Sequence, residues 1–304
     1  MAQSLIAIFI VLVGVLDPQV AFATMSSTNY QIQWDTISTG GSDSASSSSY
    51  QLRDTVGGLG IGASSSTTYD LRSGYRQGVN DQAFRFDLVI QDNSSQATAT
   101  VLSGTTVTVG SVSGYASGDY ILLIQDQGAS QVAAIGRLTG VTATTLTVDA
   151  FTNGGTAPSI DGTGDFVYEL TTSAAPSFGG LSTVSVSTTA FGWEVTNISQ
   201  NGHTIYVFDD GNLRSGSNDI DDVTDGAIIG ASEEYGARSS DTSLTGSTFD
   251  TADTAITTSA QMIGTEASDV YENRGFLTLK AAISAATVTG TYTTATTVIA
   301  TGNF

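Results

Sequence analysis

The 304-residue chain carries 29 Asp and Glu against 9 Lys and Arg, for a net charge of −20, with one lysine, Lys280, and no cysteine. That balance argues against nucleic acid as a partner, because phosphate binding needs clustered cations, and it rules out disulfides and thiolate metal sites. Charged residues make up 12% and apolar residues 40%, with 34 glycines and 3 prolines, a mixture that favours strands and tight turns over helices and supplies material for more than one core.

Residues 5–16, LIAIFIVLVGVL, form an apolar run ended by Asp17-Pro18, and Ala21-Phe22-Ala23 follows as a small-x-small cleavage pattern. Residues 1–23 therefore read as an export signal, with a mature chain from Thr24 that holds no further membrane span. Lacking a basic residue in Met1–Ser4, the same stretch also admits a retained anchor, although Asp17-Pro18 breaks a helix early.

In 24–83, three related segments, SSTNYQIQWDTI, SSSSYQLRDTV and SSTTYDLRSGY, place Tyr30, Tyr50 and Tyr69 ahead of an apolar residue two positions on. Such spacing puts both side chains on one face of a strand, so the region reads as three strands or strand-loop units joined by Gly/Ser-rich turns. The first of them, carrying Tyr30, Ile32 and Trp34, is a candidate assembly strand, tethered by STGGSDSASSSS. It either pairs with an exposed sheet edge of another copy or folds back on its own chain.

From 84 to 173, short alternating runs such as RFDLVIQD, GDYILLIQDQ and DFVYEL predict a central β-sandwich or small barrel. Residues 174–180, AAPSFGG, form the linker, and 181–304 a C-terminal β-sandwich whose last run, GTYTTATTVIATGNF, is a strand tied into a sheet. The polar stretch 211–270 is expected to hold a helix or a long irregular loop. The fold class is all-β, a multidomain sandwich of Ig-like or jelly-roll-like type with an N-terminal strand repeat.

Acidic loops are the recurrent chemistry-capable feature. Asp209, Asp210, Asn212, Asn218, Asp219, Asp221, Asp222 and Asp225 are interleaved with glycine, with Glu233 and Glu234 nearby. Calcium takes six to eight oxygen ligands, and such a loop supplies them; it also suits a solvated acidic turn, and the EF-hand spacing is absent. Calcium is the expected cofactor, with Asp209, Asp210, Asn212, Asp219, Asp221, Asp222 and Asp225 as its ligands. His203 after Asn201-Gly202 is expected on a turn or at the surface, starting the return strand of a hairpin, and no G-x-S-x-G elbow accompanies it. Glu194 and Glu169 sit on predicted strands, Trp193 is expected in the core with Glu194 facing solvent, and Asn93 and Asn197 begin N-x-S triplets. No enzyme is expected. Trp34, Trp193 and the tyrosines offer stacking faces for glycans.

Residues 50–78 together with TTAFGWEV (188–195), DDGNLRSGSNDI (209–220), EEYG (233–236) and the closing run from Leu279 resemble secreted β-sandwich surface proteins of environmental and candidate-phylum bacteria, of S-layer, matrix-fibre or pilus-like type. That resemblance implies a structural role at the extracellular cell surface as a homo-polymer, in some relatives by lending a strand to a neighbour. It carries over no catalytic residue. An adhesin contacting glycans or other cells is the competing expectation.

Overall fold

The computed structural model describes residues 84–199 and 201–303 throughout and, before them, the backbone of six short strands; the chain divides into two units, Met1–Asp81 and Gln82–Phe304. In the first unit the strands form three antiparallel pairs. β1 (Met25–Ser26) pairs with β2 (Gln31–Ile32), β3 (Gly40–Ser46) with β4 (Gln51–Val56), and β5 (Gly62–Ser65) with β6 (Asp70–Ser73). Each Tyr-x-(Ile/Leu) segment thus enters the second strand of a pair. Ile32 lies in β2 opposite Met25, whereas Tyr30 and Trp34 lie outside the described residues, as does the apolar run of 5–16. Among the described residues no helix is long and apolar enough to cross a membrane.

The second unit is antiparallel β almost throughout. Its first strands are β7 (Phe84–Gln91), β8 (Ala97–Ser103), β9 (Thr106–Val109), β10 (Tyr120–Gln125), β11 (Val132–Val141), β12 (Thr145–Val148), β13 (Thr152–Asn153) and β14 (Phe166–Thr171). Following the pairings β8 to β9, β12, β11, β10, β14 and back to β8 closes a six-stranded ring. The central region is therefore the barrel of the two expected alternatives. Closure removes sheet edges, and a ring this narrow is filled by its own side chains. Ala99, Val107, Ile121, Leu123, Leu146 and Val167 fill it, each fully buried.

β15 (Ser187–Asn197), β16 (His203–Asp209), β17 (Leu213–Ser215), β18 (Asn218–Ile220), β19 (Glu234–Ser239), β20 (Gln261–Glu266), β21 (Val270–Ala282) and β22 (Thr296–Gly302) follow. The order β7-β15-β21-β19 makes one sheet, and β20-β16-β22 makes the second. Between them lie Phe191, Trp193 and Val195 of β15, Leu277 and Leu279 of β21, and Ile205 and Val207 of β16. Positions i, i+2, i+4 supply each face, as the pleat requires. Opposite Trp193 on β21 stands Gly275, where a Cβ would come within 2.6 Å of Trp193 Cζ2, so only glycine leaves room for the indole.

The boundary expected at 174–180 joins two layers of one compact unit. β7, expected within the central domain of 84–173, pairs with β15 from Phe84↔Asn197 to Ile90↔Phe191, and its end reaches β14 of the barrel. A third cluster, Val89, Leu122, Ile124, Ile135, Leu170, Ala190 and Phe276, seals the outer wall of the barrel against the outer face of the sandwich. Strands β10 and β15 are consequently buried on both faces, a pattern otherwise typical of parallel sheets. Of the helix or long irregular loop expected over 211–270, no helix is present among the described residues; β17, β18, β19 and β20 alternate there with irregular segments.

Candidate functional site at an open sheet edge

A sheet edge carries unpaired N–H and C=O groups that another strand can bind, so natural proteins cover or disguise their edges. The margins of this sandwich are treated unequally. β7 runs on into the barrel through β14. Alongside β19, Tyr235 N donates to Asp221 O (2.8 Å), Val223 N to Tyr235 O (2.9 Å), and Ala237 and Thr254 exchange two bonds of 2.9 Å. At β20 side chains do the covering: Ser239 Oγ donates to Ile263 O (2.5 Å), and Asp241 Oδ2 accepts from Thr265 N (2.8 Å).

β22 has no such cover. Among the described residues it pairs with β16 alone, from His203↔Gly302 to Asp209↔Thr296, and no other main-chain bond reaches 296–302. Its sequence, TTVIATG, holds no charge and no proline to discourage pairing. Val298 and Ala300 face the core yet stay only partly buried, whereas Ile205 and Val207 of the adjacent β16 are wholly buried. Ile299 on the opposite face is 43% exposed. The core is thus left incompletely covered along this edge.

Beside the start of β22, Phe178, Leu181, Leu213, Tyr235, Leu279 and Ile283, together with the 287–294 loop and Thr296, line a groove of about 720 Å³. Phe178 meets the Tyr235 ring edge-on at 6.2 Å. An open edge next to an apolar groove can accept an extended segment, with main-chain bonds to β22 and alternate side chains in the groove.

The predicted calcium ligands are placed around this region without converging. Asp209, at the end of β16, is 1% exposed and accepts from the Tyr235 hydroxyl (3.0 Å) through Oδ2, while its Oδ1 has no partner among the described residues. Burial pushes its carboxyl above the usual range, and the Asp210 and Asp222 charges add to that against the bonds from Thr296 and Tyr235. Asp210 is committed elsewhere: Oδ2 takes Arg214 Nη2 (2.6 Å), and Oδ1 takes Thr294 Oγ1 (3.0 Å) and Ala295 N (3.1 Å). The Arg214 bond, with those from Ala295 and Thr294, holds Asp210 at about 2.

Asn212 donates to Asp219 (3.4 Å) across the β17–β18 hairpin, and Asp225 caps Ala227 N (3.1 Å) in an exposed turn. Asp221 and Asp222 lie in the segment that covers β19, where burial and then the Asp221 charge push Asp222 upward. Glu233 accepts from the Thr287 hydroxyl. Among the described residues no group of three or more His, Cys, Asp or Glu side chains gathers where a metal ion could be held.

Other sequence readings change on the structure. His203 begins β16, but β15 and β16 belong to different sheets, so Asn201-Gly202 makes a crossover instead of a hairpin; the imidazole is 1% exposed, not at the surface. Glu194 faces the barrel, 2% exposed, where Arg274 Nε donates to it at 2.8 Å. Asn197 is wholly buried and donates to Gly202 O (2.5 Å), so its triplet is closed to glycosylation, while Asn93 donates to Ser177 O (2.7 Å). Trp193 is core as expected, so it offers no stacking face. The open edge itself is not legible in the sequence: TTVIATG reads as a strand, but which strand is left unpaired depends on long-range register.

Comparison with family models, with curated proteins and with solved structures finds no match to this chain.

Proposed function

We propose that this chain is an exported structural protein of the bacterial cell surface that self-assembles into a filament or lattice, the N-terminal strand of one copy pairing with β22 of the next. The open, uncharged β22 edge beside its apolar groove carries the reading. Seven residues of edge span about 24 Å, which the segment TNYQIQWDTI covers with residues to spare. Tyr30, Ile32 and Trp34 alternate in its sequence, so an extended strand would put all three on one face. A contact in which one surface patch binds a different patch on the next copy does not close on itself and propagates. The export pattern of residues 1–23 and the resemblance to bacterial surface proteins agree with such a role.

The test is negative-stain electron microscopy of residues 24–304, alongside a chain lacking 24–37. Regular filaments or sheets from the first and dispersed particles from the second are expected. Dispersed particles from both sink self-assembly and favour a monomeric adhesin; polymers from both remove the N-terminal strand from the contact.

A further inference from the structure

On the face of β21 opposite the sandwich core, Arg274, Phe276, Thr278 and Lys280 follow one another at i+2 spacing toward the barrel. Between Phe276, Thr278 and Lys280 on one side and Gln131, Val132 and Ala133 on the other is a cavity of about 210 Å³, with Gly154, Thr156 and Arg238 to Ser240 around it. It bears no relation to the open edge, which lies on the other sheet of the sandwich.

Its free polar groups are hydrogen-bond donors. Lys280, 5% exposed, donates to Ala129 O (2.8 Å) and lies 2.7 Å from Asp253 Oδ1 in an ion pair whose alignment falls short of a hydrogen bond. An ammonium has three donors, so capacity remains. Gln131 Oε1 accepts from Gly128 N (3.3 Å), which fixes the amide orientation and leaves buried Nε2 without a partner among the described residues. Ser240 Oγ accepts from Phe276 N (2.8 Å), so its own hydrogen is available. Arg238, whose side chain is exposed to solvent, adds a positive charge and makes one long bond, 3.4 Å to Asp250 O. Unsatisfied buried donors are costly, and a ligand with several acceptor oxygens relieves them together.

We propose that this cavity binds a small organic carboxylate of about monosaccharide size, such as a uronic acid. The carboxylate would lie among Lys280, Gln131 and Arg238, and the carbon skeleton against Phe276, Val132 and Ala133. Two of nine cationic side chains in a chain of net charge −20 are placed at this one cavity, and the Asp253 carboxylate offsets only the first. An acceptor-rich anion matches both the buried donors and the charge of exposed Arg238, whereas a neutral sugar matches the donors alone. The volume is below that of drug-sized pockets, which limits the ligand to a single small unit.

The experiment is calorimetric titration of the full mature chain with sodium D-glucuronate, with D-glucose and sodium chloride as controls, repeated on Arg238→Gln and Gln131→Leu. Saturable binding of glucuronate and not of glucose is expected, weakened about tenfold or more in each variant, with melting temperatures within a few degrees of the parent. Lys280→Met serves only as a check, since it strands buried Asp253 and can fail to fold. Absence of saturable glucuronate binding, equal binding of glucose, or unchanged affinity in both folded variants would overturn the proposal.

Discussion

Arg274 holds the barrel and the sandwich together with a charge. Its guanidinium grips Asp149 through two bonds (2.7 and 2.6 Å), takes Glu194 through Nε (2.8 Å), and stands 5.8 Å over the Tyr120 ring. Burial opposes the Asp149 charge, but Arg274 with the Ala150 and Arg137 amides outweighs it and holds that carboxyl below its usual value. Removing one partner of a buried pair strands the other, so Arg274→Met is expected to cost about 3–5 kcal/mol, and Arg274→Met with Glu194→Leu is expected to recover much of it. Thermal melts of the two variants decide; a double variant less stable than the single one contradicts the account. Asp209 gives the opposite sign. With its folded pKa raised, the folded state binds the extra proton, so this group costs stability as pH rises through that value. Asp209→Asn, which keeps an acceptor for Tyr235, should raise the melting temperature at pH 7 and lose that gain as pH falls toward the ordinary carboxylate range. An equal gain at both ends would show that ionisation is not the cause. None of these partnerships is legible in the sequence, where an acid next to a core tryptophan reads as a wet-face residue. That inference assumes one solvated face per strand, and β15 has none.

At the scale of elements, alternation carried much of the sequence reading. The strands of 84–170 and the closing strand fall where their apolar spacing put them, because each buries side chains at period two. The stretch 211–270 was not legible for the converse reason. Its strands are three to six residues long and buried residues such as Leu244, Phe249 and Ile256 stand in irregular segments, so no periodicity announces them. Edge status also escapes a single sequence: nothing in QMIGTE or TTVIATG says that Ser239 and Asp241 plug β20 while, among the described residues, nothing plugs β22. A charge on an edge strand discourages pairing at little cost to its own fold when the side chain is exposed. Ile299→Lys is therefore expected to abolish polymers in the microscope while moving the melting temperature by a few degrees at most. Full polymerisation by a folded Ile299→Lys chain would remove β22 from the contact.

The whole molecule sets two opposing conditions on assembly. Barrel and sandwich share strand pairings through β7 and a sealed cluster of apolar side chains, so Gln82–Phe304 should melt in one transition, since neither part can unfold without exposing the joint face of the other. Two resolved transitions by calorimetry would contradict that coupling. Against association stands the charge: at −20, copies repel one another over the Debye length, roughly 30 Å at 0.01 M salt and about 8 Å at 0.15 M. Strand pairing acts at contact, so screening removes the repulsion without touching the main-chain bonds that hold the polymer. Assembly of residues 24–304 should therefore be slow at low ionic strength and accelerate as sodium chloride is raised, followed by light scattering. Calcium separates two causes. If the acidic segments act as diffuse charge, calcium chloride and sodium chloride at equal ionic strength differ modestly, and a chelator in 0.15 M salt, roughly the screened regime, leaves polymers intact. If exposed Asp219, Asp221 or Asp225 bind the ion between copies, micromolar calcium drives assembly at low salt and chelation dissolves it. Growth that is fastest at the lowest ionic strength would refute both, because attraction between unlike charges, not an uncovered strand edge, would then be holding the copies together.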